Sequence, residues 1–177
     1  MKITTVFNKN YRAETLGIYV DKALKELGHE VTHCSTNEEL TLDNEWYLLI
    51  DDGLPYQFRL PEGKKLIYWA IDTHVAMKMQ TLKGQVADYV FAAQSDGAEK
   101  LSKLLKKDVK WLPVAADKEA HLQVAAEKIC DVGFVGSCTA NPVFGERMDY
   151  LDYLFRKIPN FDFGSDYGVE LPKRVAR

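Results

Sequence analysis

Short apolar runs alternate with amphipathic stretches along this chain. The first apolar run covers residues 3–7, and apolar residues then recur at helical spacing from Leu16 until Gly28 ends the stretch. Runs with the length and composition of strands follow at residues 31–34, 46–50, 66–71, 87–92 and 109–112. A helix is predicted over residues 96–105, with Ser95 as its N-cap. This alternation predicts βαβ units and therefore an α/β fold with a Rossmann-like parallel sheet and flanking helices.

A second unit is predicted after the polar, alanine-rich stretch at residues 117–128. The segment CDVGFVGS at residues 130–137 starts a fresh buried strand, and a helix near residues 144–157 and a short strand near 161–163 follow it. So few elements cannot cover both faces of a parallel sheet. We therefore expect an N-terminal Rossmann-like domain at residues 1–122 and the truncated beginning of a second one at residues 129–177.

Composition and charge narrow the possible functions. The 177 residues are 46% hydrophobic and 28% charged, which is an ordinary globular balance. A net charge of -3 and a pI of about 5.8 leave no basic excess for nucleic-acid phosphates. No apolar run approaches the roughly 20 residues that span a bilayer, and MKITTVF does not resemble a secretory signal. We expect a cytoplasmic protein with no membrane span and no nucleic-acid partner.

Cysteine and histidine spacing does not indicate a metal site. The three cysteines, Cys34, Cys130 and Cys138, contain no C-x-x-C pair and are interpreted as reduced thiols. His29 and His33 flank the second predicted strand, and the sequence places no further ligand near them. The prediction is that no metal is bound.

The run KLIYWAIDTH at residues 65–74 contains the strongest candidate chemistry. A strand of large apolar residues ends abruptly in Asp72, Thr73 and His74. In open α/β sheets, ligands bind outside the carboxyl ends of the strands. Asp72 or His74 could accept a proton from a ligand hydroxyl there or orient the ligand. The alternative is that Asp72 only caps the helix that follows and that His74 is a surface imidazole.

The Gly136-Ser137 turn is a second candidate site. Glycine permits close approach of the backbone to a diphosphate, and N–H groups at the start of the following helix attract negative charge. Asn141 and Pro142 suit the beginning of such a helix, in which Arg147 follows. The alternative is an ordinary tight turn and a solvated arginine.

Four segments resemble the CgeB-type (spore maturation protein) glycosyltransferases. They are YWAIDTH (68–74), DYVFAAQSDG (88–97), VKWLPVAAD (109–117) and DVGFVGS (131–137) with Arg147 in the next helix, in the order of that family. The resemblance implies a GT-B architecture of two Rossmann-like domains. It also implies a catalytic role for Asp72 and His74 and donor contacts from Gly136, Ser137 and Arg147.

The same resemblance suggests the reaction and its partners. Such enzymes transfer a sugar, without a cofactor or metal, from a nucleotide-sugar donor held mainly by the C-terminal domain to an acceptor held mainly by the N-terminal domain. Further donor contacts in the family normally lie beyond the position of Arg177. We therefore expect the full-length parent to be the enzyme and this chain alone to be inactive.

Two other functions remain open from the sequence. One is a non-catalytic α/β module that binds a nucleotide or a glycan. The other is a receiver-like signalling domain, because the acidic pair Asp51-Asp52 follows a strand, although receivers place such a pair after their first strand and this pair follows the third.

Overall fold

A computed structural model describes residues 1–8, 16–35, 40–51, 59–119, 131–135, 145–159 and 161–164. In chain order, the elements are β1 (Lys2–Val6), α1 (Leu16–Glu26), β2 (Glu30–Cys34), β3 (Trp46–Ile50), β4 (Lys65–Ala70), α2 (Thr73–Val86), β5 (Tyr89–Ala92), α3 (Ser95–Leu105), β6 (Val109–Trp111), β7 (Val132–Val135), α4 (Gly145–Lys157) and β8 (Phe161–Gly164). The chain divides into two compact units, at residues 1–121 and 122–177.

The first unit contains a six-stranded sheet in the order β2-β1-β3-β4-β5-β6. Every neighbouring pair is parallel. The predicted α/β class and Rossmann-like parallel sheet are confirmed. This order is the flavodoxin-like variant of a doubly wound sheet, extended by one strand, and its topological switch point lies between β1 and β3.

Helices cover both faces of this sheet. Successive side chains of a strand point to opposite faces, so a strand between two helical layers is apolar throughout. One face packs on α2 and α3 and includes Val6, Tyr47, Leu49, Tyr68 and Val90, with Leu101 of α3 against them. The other face packs on α1 and includes Phe7, Ile50 and Trp69, with Leu16 and Val20 against them. The neighbours Tyr68 and Trp69 are both buried, which places β4 in the centre of the core.

The segment that follows β6 contacts both β4 and α1. The indole Nε1 of Trp69 donates to the backbone oxygen of Leu112 at 2.9 Å. Further along, Lys22 of α1 lies 3.0 Å from an Asp117 oxygen and 2.5 Å from a Glu119 oxygen. Hydrogen bonds to Glu119 and Asp117 raise the pKa of Lys22 above its usual range. The segment is thus attached to the face of the sheet that α1 covers.

Several of the predicted element ends differ from the structure by one or two residues. The strand predicted to begin at residue 87 begins at Tyr89. Ser95 is not an N-cap, because α3 already includes it and Gln94 takes the N-cap position with extended backbone angles. The backbone oxygen of Gln94 accepts the first helical hydrogen bond, from Ala98 N at 2.9 Å. The cap prediction was wrong by one residue, since the sequence alone does not show where the extended backbone ends.

The second unit is described over fewer residues. Strands β7 and β8 pair in parallel, from Val132 with Phe161 to Val135 with Gly164. Helix α4 lies between them in the chain, and its Leu151 is buried. A strand-helix-strand order is therefore present, as the sequence predicts. The extent of a second Rossmann-like domain stays a prediction.

Asp88 links the starts of β4 and β5. Its carboxylate accepts hydrogen bonds from Leu66 N at 2.9 Å and from Lys65 Nζ at 3.1 Å. Burial acts to raise the pKa of Asp88, but the Leu66 N–H and the Lys65 ammonium outweigh it and hold that pKa below its usual range. An ionised Asp88 therefore stabilises the folded chain.

We predict that Asp88→Asn lowers the free energy of unfolding at neutral pH by about 1 kcal/mol or less, because water screens this partly exposed pair. A carboxyl whose folded pKa is depressed stabilises the protein above its unfolded pKa of about 3.9, and this contribution is lost as the pH falls through the folded value. Urea unfolding from pH 7 down to about pH 2 should show wild type and variant converging. Asp108→Asn, at an exposed aspartate of the neighbouring loop, is the matched control. A difference that stays constant with pH would contradict the ionic contribution.

Candidate functional site

The carboxyl ends of β3, β4 and β5 form an edge at which both α2 and α3 begin. Strand β3 is followed by Asp51, β4 leads through Asp72 into α2, and β5 leads through Gln94 into α3. Because all strands are parallel, these polar residues lie at the same edge of the sheet. The predicted meeting of polar groups at this edge is therefore present, and it includes Gln94, which the sequence did not indicate.

Asp72 and His74 are both exposed at the end of β4. Asp72 occupies the N-cap position of α2, yet its side chain makes no capping hydrogen bond. Only its backbone oxygen serves the helix, accepting from Ala76 N at 3.1 Å. The capping alternative for the Asp72 carboxylate is therefore wrong, and the edge presents this carboxylate and the His74 imidazole to solvent.

The first turn of α2 is partly separate from the rest of that helix. Ala76 departs from helical geometry, with φ −123° and ψ 30°. This places a kink just after Thr73 and His74, so their position depends on contacts other than the regular helix. Those contacts come from α3 and from the residue that precedes it.

Gln94 joins the two helix beginnings. Its Oε1 accepts a hydrogen bond from Thr73 Oγ1, and its Nε2 lies 2.9 Å from Nδ1 of His74. Thr73 is 1% exposed, and a Cβ built on Gly97 of α3 would lie 2.1 Å from Thr73 Oγ1. This approach is possible only with glycine at position 97. The sequence analysis did not single out Gln94, which lies inside the segment DYVFAAQSDG as an ordinary polar residue.

Asp51, the residue that follows β3, is half-buried and anchors the ends of β3 and β4. Its φ of 48° is left-handed, an uncommon conformation for a residue with a side chain. Its backbone N donates to Trp69 O at 2.9 Å, and its Oδ1 accepts from Ile71 N at 3.3 Å. The Asp51 carboxylate thus holds the end of β3 to the end of β4.

Two polar side chains of α2 complete this anchor. Gln80 and Lys83 are 2% and 3% exposed, respectively. Gln80 Nε2 donates to Asp51 Oδ1 at 2.8 Å, Lys83 Nζ donates to the Asp51 backbone oxygen at 3.0 Å, and Tyr68 OH donates to Gln80 Oε1. We call Asp51, Tyr68, Gln80 and Lys83 the anchor cluster. It gives Asp51 a structural role, so the receiver-like alternative gains no support from this residue, while Asp52 lies outside the described residues.

The predicted donor contacts lie outside the part of the chain whose side chains the structure describes. Gly136 and Ser137, with Asn141 and Pro142, lie outside the described residues. Arg147 lies in α4 of the second unit, and its side chain is not among those described. Their roles stay predictions.

The described residues contain neither a metal-ligating cluster nor a membrane-spanning helix. Within the described ranges, no group of three or more His, Cys, Asp or Glu side chains is placed to hold a metal ion. His33 lies in the edge strand β2, where its Nε2 is 3.1 Å from the backbone oxygen of Phe7 and its ring packs on the Phe7 ring. Cys34 is buried, and its Sγ donates to the backbone oxygen of Ser35 at 3.4 Å. None of the helices described is both long and apolar enough to cross a bilayer.

The sheet and its polar edge define an α/β protein with a Rossmann-like domain. Comparison with known proteins does not narrow this class further. The chain matches no protein-family model, and a search of curated proteins found no match. Any assignment of function therefore depends on the residues at the edge and on the resemblance of the four segments described above.

We predict that Gln80→Leu lowers the free energy of unfolding by about 1–3 kcal/mol, because it removes one hydrogen bond of the buried Tyr68 hydroxyl and one of the Asp51 carboxylate. Tyr68→Phe removes the same hydroxyl. Combined with Gln80→Leu, it should therefore destabilise less than the sum of the two changes, by at least about 0.5 kcal/mol. Urea unfolding of the four proteins measures this coupling. Gln85→Leu, at an exposed position of α2, is the control, and additive effects would show that the Tyr68–Gln80 contact is not energetically coupled.

Proposed function

We propose that this chain is the acceptor-binding part of a glycosyltransferase, which transfers a sugar from a nucleotide-sugar donor to an acceptor hydroxyl. One observation carries the proposal: the exposed Asp72 carboxylate and His74 imidazole stand two residues apart at the carboxyl end of buried strand β4. Open α/β sheets bind their ligands just outside the carboxyl ends of the strands. The resemblance of four segments to CgeB-type enzymes supports sugar transfer as the reaction.

In the proposed reaction, the acceptor oxygen attacks the anomeric carbon of the donor sugar. A bond forms between these two atoms, the bond from that carbon to the diphosphate breaks, and the acceptor loses its hydroxyl proton. In this proposal, Asp72 accepts this proton and His74 hydrogen-bonds an oxygen of the acceptor. Holding the two reactants in alignment supplies much of the rate enhancement in such a transfer.

The departing nucleoside diphosphate carries the negative charge that develops. Backbone N–H groups at Gly136 and Ser137 and the guanidinium of Arg147 are the proposed contacts for it. The donor is a substrate, and the proposal includes no cofactor or metal. The acceptor side of the proposal rests on described residues, whereas the donor side rests on the resemblance alone.

We predict that Asp72→Asn lowers the transfer rate by at least about tenfold, because an amide cannot accept the hydroxyl proton. The assay uses the full-length protein and measures release of nucleoside diphosphate from UDP- and GDP-sugars in the presence of a pool of glycan acceptors. His74→Ala should also lower the rate. Asp43→Asn makes the same chemical change at an exposed residue before β3, at the opposite edge of the sheet, and should leave the rate unchanged.

Unchanged turnover in both Asp72→Asn and His74→Ala would remove these residues from the reaction. Calorimetric titration with UDP, GDP and their sugar conjugates separates binding from transfer. Binding without any release of diphosphate from the sugar conjugates would favour the non-catalytic binding module instead.

A further inference from the structure

The orientation of the Gln94 amide determines which nitrogen of His74 is protonated. Gln94 faces Nδ1 of His74 at 2.9 Å with its amide nitrogen, which can only donate. If the amide were turned by 180°, its oxygen would face Nδ1 and require a proton there. The contact between Gln94 and Thr73 distinguishes the two orientations.

The Thr73 hydroxyl favours the orientation in the structure. Its Oγ1 contacts Gln94 Oε1, and because a carbonyl oxygen cannot donate, the hydroxyl donates. Thr73 makes no other side-chain hydrogen bond in the part of the chain that the structure describes. With the amide turned, Gln94 would donate to Oγ1 and the buried hydroxyl proton would lose its acceptor, which is unfavourable for a group away from water.

The neighbours of Thr73 keep this contact in place. Thr73 is 1% exposed, and Gly97 is the residue in α3 that leaves room for its hydroxyl. The position of Gln94 is fixed at the beginning of α3, because its backbone oxygen accepts a hydrogen bond from Ala98 N at 2.9 Å. Both partners of the contact are therefore fixed by packing or by the start of a helix.

We infer that Thr73 and Gln94 position His74 with its proton on Nε2, so that the ring offers an N–H donor to a ligand oxygen. In a neutral imidazole one nitrogen donates and the other accepts, and here Nδ1 accepts from Gln94. Nε2 makes no hydrogen bond to the described residues, and His74 is exposed. The free N–H is therefore available to a ligand.

This tautomer divides the roles within the proposed site. His74 with its proton on Nε2 cannot take the acceptor's hydroxyl proton at that atom, which leaves Asp72 as the proton acceptor. His74 instead binds an oxygen lone pair of the acceptor. The identity of that ligand rests on the proposed function, whereas the tautomer rests only on contacts within this chain. Thr73 and Gln94 act through His74 and are positioning residues.

Gln94→Glu tests the inference without any substrate. A carboxylate only accepts, so Nδ1 of the neutral ring must become the donor and the proton should move from Nε2 to Nδ1. A negative charge at the beginning of α3 is compatible with folding, since it lies near the positive end of the helix dipole. Exposed Gln85, near the other end of α2, provides the control variant Gln85→Glu, which should leave the tautomer unchanged.

The tautomer is measured by long-range proton–nitrogen NMR correlation on the 15N-labelled chain. The pH is set about two units above the ordinary histidine pKa of about 6.5, so that a ring of ordinary pKa is neutral. His74→Gln identifies the His74 signals by their loss. We expect mainly Nε2–H in wild type and mainly Nδ1–H in Gln94→Glu. A wild-type ring protonated on Nδ1, or a Gln94→Glu tautomer identical to wild type, would overturn the inference.

Thr73→Val tests the role of the hydroxyl separately. Loss of the hydroxyl frees the Gln94 amide to turn, so the fraction of Nε2–H should fall, and Thr73→Ser should restore it. An unchanged fraction in a folded Thr73→Val chain would remove Thr73 from the inference. If Thr73→Val does not fold, Gln94→Glu still decides. The protein could show the expected tautomers and yet have no transferase activity. That result would uphold the positioning of His74 and reject the proposed function.

Discussion

The structure depends on the burial of β4 on both of its faces. Tyr68 points into the layer formed with α2 and α3, and Trp69 points into the layer formed with α1. Each large apolar side chain buried in this way contributes roughly 1.5–3 kcal/mol. Two helical layers are needed to cover these faces, and parallel strands joined through helices all end at one edge. The position of the candidate site follows from this requirement.

The anchor cluster connects that core to the edge. Burying amides, carboxylates or ammonium groups is unfavourable unless they are hydrogen-bonded. Here Gln80 and Lys83 direct their polar ends at Asp51, whose left-handed turn brings its carboxylate back over the end of β4. The cluster ties the body of α2 to the ends of β3 and β4. It leaves the first turn of α2, before the kink at Ala76, to be set by other contacts.

Those other contacts lie between the beginnings of α2 and α3. Gly97 allows Thr73 to approach α3, Thr73 orients the Gln94 amide, and Gln94 faces His74. A buried hydroxyl thus controls the hydrogen bonding of an exposed imidazole. Of these residues, Thr73 and Gly97 are buried, whereas Gln94 is half-buried.

The apolar periodicity of the sequence was sufficient to predict the parallel sheet, because alternating strands and helices bury their apolar residues in only a few arrangements. It also placed Asp72 and His74 at the end of a buried strand, since the break after Ile71 is visible in the order of residues. It showed that Asp51 follows a strand but not what its carboxylate contacts, and it did not single out Gln94. Gln80 and Lys83 of α2 look like solvent-facing residues in the sequence. The sequence by itself determined the class of fold and the strand at which the candidate site lies. The strand order, the anchor cluster and the protonation of His74 were decided by the tertiary structure, because hydrogen bonds between residues 20 to 32 positions apart exist only once the strands and helices have packed.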